Sequence, residues 1–236
     1  MKKYKFTDET MYFYGCTLHR IQALRSFSDV KEGDLGGWIE HEDNLSQEGK
    51  CWVYGDAQVF ESARVYGDAE VAGSAKVYGD ADVFGSAFVC GNAQVFESAR
   101  VYDDARVFGS AEVYGDAEVA GSAKVYGDAD VFGSVRVYDN TWVAGSVEVY
   151  GDTTLKEHAL VTSTADYLSI GPLGSRNDFT TFYRNADGRI MVTCGCFNGD
   201  LEAFEQAVTE THGESEHGKA YRAAIYTAKT IMTNKI

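Results

Sequence analysis

From Val53 to Val149 a valine occurs at every sixth position, through 17 hexads without an insertion. Four residues after each Val stands a small or branched residue, mostly Ala, with Val135, Thr141, Val147 and Thr153 near the end. Gly-Asp or Gly-Ser lies between them in most repeats, as in Val65-Tyr66-Gly67-Asp68-Ala69. A fixed period this long is the mark of a solenoid. A globular core has no need of one branched residue every six positions. A stacked β-coil does, because each rung places the same side chain on one interior line. Val suits a pleated, packed surface. The Ala faces the same interior near a corner. Gly tolerates positive φ there, and Asp or Ser bonds the nearby backbone.

The pattern Val-x-Gly-Asp-Ala-x resembles the hexapeptide-repeat family. That resemblance implies a left-handed parallel β-helix with three hexads per triangular coil; the period alone does not set the hand, and ordinary crossovers are right-handed. At 18 residues per coil, Phe60, Tyr78, Phe96, Tyr114, Phe132 and Tyr150 fall on one face with an aromatic on every rung. The family more often has a small or acidic residue at that position. These rings read either as a stabilising ladder or as a surface for a partner or another subunit.

Residues 65–86 and 113–134 are identical, an offset of 48, which is a whole number of hexads but not of coils. Copying of hexads explains this; a function that needs unique loop positions does not.

Before the repeats, residues 1–34 read as an N-terminal cap segment. Tyr4-Lys5-Phe6 and Thr17–Leu24 are expected as strands and Gly33, Gly36 and Gly37 as turns. Residues 35–165 read as the β-helix, about six or seven coils, of which 35–52 form an irregular first one. Leu45 to Val53 is eight, so two residues are inserted around Lys50-Cys51-Trp52. Trp38 and Trp52 are suited to cover the first edge. Residues 166–236 read as a small α+β module. Strands are expected at Phe179–Arg184 and Ile190–Cys194 with a turn at Asn185–Gly188. A helix follows from Leu201, capped by Asp200 and Gly213, and a second from about Ser215. The fold class is mainly β. Gly33–Glu40 and Asn44–Ser46, with Thr181-Phe182-Tyr183, Cys194–Phe197 and Gly199–Phe204, resemble hexapeptide-repeat proteins of phages and prophages.

The net charge is −15, and residues 53–154 carry 17 acidic against 6 basic side chains. That balance disfavours direct nucleic-acid binding. It suits solubility, a cationic partner, or mimicry of a nucleic acid's charge. There is no apolar run of membrane-spanning length and no apolar core of a secretory signal after Met1-Lys2-Lys3. Five cysteines make no disulfide framework. A cytoplasmic protein is expected.

Several constellations bear on chemistry. Acyl transfer in the resembled family uses a His base at subunit interfaces, but no His lies between Val53 and Asp152, and His158 is the sole candidate in the coil-like region. Cys194, Cys196, His212 and His217 have zinc-type donors, though core packing suits the cysteines as well. Cys196 with His212 as base is a nucleophile pair. Ser175, Arg176 and Asn177, with Arg184 and Arg189, are placed to capture an anion. The corner Asp alternate with Ser, which dilutes any calcium edge. Uninterrupted repetition points to a non-catalytic scaffold that self-assembles through the aromatic face, a trimer by resemblance. The C-terminal module then recognises a partner such as a host defence protein through Ser175, Arg176, Asn177, Arg184, Cys196 and His212. No cofactor or metal is implied. The alternatives are an acidic DNA mimic that inhibits a nucleic-acid-binding protein, and an acyltransferase-like enzyme.

Overall fold

The computed structural model describes residues 2–233. The repeats wind into a parallel β-solenoid in which every rung pairs with the rung 18 residues on. Val53 stacks on Val71, Val71 on Val89, and so on through Val143 on Val161. Two-residue strands such as Glu70–Val71 form the three faces, and their bonds run along the column, as from Gln58 N to Ala75 O at 2.9 Å. One face has seven rungs. At roughly 4.8 Å per rung those span roughly 29 Å. The interior is filled by the repeated Val and Ala, which are fully shielded from solvent throughout.

The corners explain the rest of the hexad. Gly at the third position has φ from +60° at Gly55 to +81° at Gly145. Where Gly is absent, Glu61, Glu97, Asp103, Asp139 and Glu157 take the same left-handed conformation, φ +51° to +58°. The first four carboxylates face the next rung, and that of Glu157, on the last corner, accepts from the Asn198 side chain. Glu61 accepts from Gly79 N at 2.8 Å, Glu97 from Gly115 N at 2.9 Å, and Asp103 from Gly121 N at 3.3 Å. Cross-rung pairs use more acid: Arg64 grips Asp82 with two bonds of 2.9 Å, and Arg100 meets Glu118 at 3.3 Å. Part of the column's negative charge is therefore engaged by the coil itself. A Cβ at Gly115 would point at the Gly133 amide, 2.7 Å away. Gly115→Ala is expected to cost about 1–2 kcal/mol, the strain of a left-handed non-glycine residue. Gly115→Asp is expected to cost less, because its carboxylate would accept that amide. Urea midpoints of the two variants measure this, and an Ala variant at least as stable as the Asp variant contradicts it.

The aromatic positions form a continuous stack. From Phe60 through Tyr78, Phe96, Tyr114 and Phe132 the rings lie 4.7–5.0 Å apart and within 6° of parallel. Tyr150 follows at 5.6 Å. Tyr14 and Phe13 close one end, Tyr167 the other. Phe60 is buried, the middle rings are half-buried and Tyr150 is exposed.

The N-terminal segment is more strand-rich than expected. Tyr4–Phe13 and Cys16–Ala23 make an antiparallel hairpin, and Leu35–Ile39 joins it to the first rung, so the segment extends one face of the column. Gly36 and Gly37 lie in that strand, not in a turn. A Cβ on Gly36 would sit 2.6 Å from Ile21, and one on Gly37 2.6 Å from Val53. Trp52 is buried against Tyr4 and Phe27, as a cover should be. Trp38 is not a cover: it faces outward with the Arg20 guanidinium 5.1 Å above its ring. Leu45 bridges to Val65, 20 residues on, which accommodates the two-residue insertion.

The C-terminal part is a four-stranded antiparallel sheet, Tyr167–Leu173, Asp178–Arg184, Ile190–Cys194 and Phe197–Asp200, followed by helices α1 (Leu201–His212) and α2 (Glu216–Thr233). The strand alternation divides its two faces. Tyr167, Tyr183 and Met191 join the core of the column, while Phe182 and Val192 pack on the helices. The last rung's edge is covered in this way. Asp200 accepts from Ala203 N at 2.8 Å to start α1, and the Gly213 amide donates to Thr209 O at 3.1 Å to end it.

Candidate functional site

A cleft of about 460 Å³ opens between the sheet and α1. Its floor is apolar: Phe197 and Phe204 lie ring to ring at 5.0 Å, and Tyr221 meets Phe204 edge-on at 5.8 Å. The turn between the first two strands, carrying Ser175 and Arg176, forms one lip. The turn Gly195-Cys196 between the last two strands forms another, and His212 at the end of α1 lies at the third side.

The polar groups converge on Tyr221. Cys194 donates its S–H to the Tyr221 hydroxyl at 3.7 Å and accepts from Thr180 Oγ1 at 3.1 Å. The His212 and Tyr221 rings are 5.3 Å apart. Burial, reinforced by Cys194, pushes the Tyr221 phenol up to about 12, so it keeps its proton at neutral pH. The hydroxyl rests against Gly174, where any Cβ would come within 2.1 Å of it.

The expected site residues divide. Ser175, Arg176, Cys196 and His212 all line the cleft, together with Cys194. Asn177 stands beside them in the turn but is not part of the lining. Arg184 is elsewhere. It reaches the Asp166 carboxylate at 3.6 Å and the Met232 carbonyl, clamping the end of α2 to the sheet. Arg189 pairs with Asp187 at 3.2 Å on the surface. The anion-capture group is thereby reduced to its first turn. His158 is exposed on the last corner of the column. Cys194 and Cys196 do not share a strand face, because Gly195 (φ +55°) turns the chain between them. Among the described residues no three His, Cys, Asp or Glu side chains are gathered as a metal site would need. Among the described residues, no helix is long and apolar enough to cross a membrane. Tyr221 and Thr180 carry no sequence signal of their own beyond falling within the expected second helix and the expected Phe179–Arg184 strand.

The family model described as YdcK Beta solenoid repeat matches residues 99–115, which is one turn of the column with a strand on each face. A 62-residue stretch is 39% identical to the Uncharacterized acetyltransferase YdcK of Escherichia coli (strain K12). The match covers 23% of this chain and spans only 19% of that protein's length. The expectation of a non-catalytic protein is overturned by this relative, which is named as an enzyme. With its 18-residue register, corners in the left-handed backbone region and matched repeat, the chain has a hexapeptide-repeat β-solenoid fold.

Proposed function

We propose that the chain is an acyltransferase-type enzyme whose reaction is carried by the C-terminal cleft. The acetyltransferase name of the similar protein supports the class. The arrangement that carries the site is His212 and Tyr221 together in one apolar-walled cleft. The repeats have no His from 53 to 152, and His158, on the column's last corner, is exposed and does not line this cleft.

In this reading a hydroxyl or amine acceptor gives its proton to His212 as its oxygen or nitrogen bonds to the carbonyl carbon of a thioester. The carbonyl electron pair moves onto oxygen, where the Tyr221 O–H stabilises it by hydrogen bonding. The pair returns, the C–S bond breaks, and the departing sulfur takes the proton held by His212. Thioester and acceptor become ester or amide and a free thiol. Cys194, whose S–H donates to the Tyr221 oxygen, orients that phenol.

The test follows thiol release from acetyl-coenzyme A by the full chain, with a pool of sugar, alcohol and amine acceptors. Acceptor-dependent turnover is expected in the wild type. His212→Ala is expected to lower it by roughly 10²–10⁴-fold, the usual worth of a general base, with the circular dichroism spectrum unchanged. Wild-type release no faster than in the absence of protein, or an undiminished His212→Ala rate, overturns the reading.

A further inference from the structure

The four arginines of the sheet and helices are not used alike. Arg184 meets Asp166, Arg189 meets Asp187 and Arg222 meets Glu214, each within 3.6 Å. Arg176 makes no ion pair among the described residues. The nearest acid in sequence, Asp178, lines the same cleft and also acts on Tyr221, but it makes no ion pair with Arg176; one of its oxygens accepts from the Phe179 amide at 2.8 Å. The Arg176 guanidinium instead lies over Gly195, where even a Cβ would be 3.6 Å from it. It is close enough to Tyr221 to act on that phenol electrostatically. In a chain of net charge −15, a guanidinium left at the lip of the cleft marks a place for negative charge.

We propose that the cleft binds a small amphipathic oxyanion, a carboxylate or phosphate on an apolar body, with Arg176 as the anion clamp. A guanidinium presents paired N–H donors that match a carboxylate or phosphate edge. Phe197, Phe204 and Val208 provide the apolar wall, and all three line the same space. A volume of about 460 Å³ lies in the range of small-molecule sites, which combine an apolar lining with a few placed polar groups. Bound so, the ligand's apolar part lies on the phenylalanines and its far end comes toward Tyr221 and His212. As a substrate class this rests on the acyl-transfer reading, in which such a molecule is the acceptor.

Binding is measured by calorimetric titration of the full chain, with no acyl donor present. The probes are phenylacetate, phenyl phosphate, the neutral phenylacetamide, and acetate, which has the charge without the ring. At least one of the two aromatic anions is expected to bind more tightly than both phenylacetamide and acetate. Which of the two binds better tells carboxylate from phosphate. Arg176→Gln is expected to weaken that anion about tenfold or more and to leave phenylacetamide unchanged. Arg176 is exposed, so this variant is expected to fold. Absence of binding by both aromatic anions, or affinity unmoved in Arg176→Gln, overturns the proposal. Acyl transfer with no anion binding removes the ligand class alone. Anion binding with no acyl transfer removes the reaction alone.

Discussion

Val113→Asp is expected to abolish the folded column. Val113 is fully buried and stacks between Val95 and Val131 on the interior line. A carboxylate there has apolar neighbours above and below and no donor to accept from. Burial of an unpaired polar group costs several kcal/mol, more if it stays charged. That is a large part of the roughly 5–15 kcal/mol by which a domain is stable. A solenoid also depends on each rung holding the next, so a break at the middle rung separates the two halves. Val113→Ala, which leaves only a small cavity, is expected to cost about 1–3 kcal/mol and to remain folded. Circular dichroism with urea titration distinguishes the two. An Asp variant that unfolds cooperatively within about 1 kcal/mol of the wild type would mean that the Val line is not the core.

The second large effect concerns alkali. Tyr183 is fully buried and Tyr167 nearly so, both between the column and the C-terminal sheet. Their hydroxyls reach the Asn198 side chain at 3.4 Å and the Glu148 carbonyl at 3.1 Å. Burial pushes each phenol up to about 12, against about 10 in an unfolded chain. The sign follows directly. Above pH 10 the unfolded state loses these protons while the folded state keeps them. The stability they contribute is complete below pH 10 and is lost as pH rises toward 12. With about 1.4 kcal/mol per unit per group at most, the loss is on the order of a few kcal/mol. Hydrogen exchange at pH 9 and pH 11 is expected to show the strands Tyr167–Leu173 and Asp178–Arg184 losing protection before the middle rungs. Uniform protection loss along the chain, or none, would contradict the placement of these tyrosines.

The column was legible in sequence because its determinants are local and repeated. Val53 to Val149 sets the six-residue period, and no distant residue is needed to decide it; three hexads to a coil is what the resemblance to the hexapeptide-repeat family implies, and the 18-residue pairing bears it out. The helix limits at Asp200 and Gly213 were legible for the same reason. The misreadings fall where a distant partner decides. Beyond Tyr4-Lys5-Phe6 the chain passes an unpaired irregularity at residues 7–9 and then resumes as a strand at residues 10–13, because residues 16–19 pair alongside. Gly36 and Gly37 read as turn residues, but their lack of a side chain serves close packing. Tyr167–Leu173, interrupted by Pro172, gives no strand signal and is held by Asp178–Arg184 beside it. Within the cleft, Arg176, Cys196 and His212 were visible as residue types. The pairing of Cys194 with Tyr221, 27 positions apart, needed the sheet and helix to be assembled. Arg184 looked like one more anion-binding arginine until α2 placed Met232 over it.

Because each face accepts the same hexad, the length of the repeat tract works as a dial as well as a ruler. Adding 18 residues would lift the C-terminal cleft by one rung, about 4.8 Å, and return it to the same bearing. Adding six would lift it by only about 1.6 Å and swing it by about 120° around the column. The duplicated segment, offset by 48, is two full turns and two thirds of another. Copying of that length therefore changes the direction in which the cleft looks relative to the N-terminal hairpin, while the interior Val line continues without a seam.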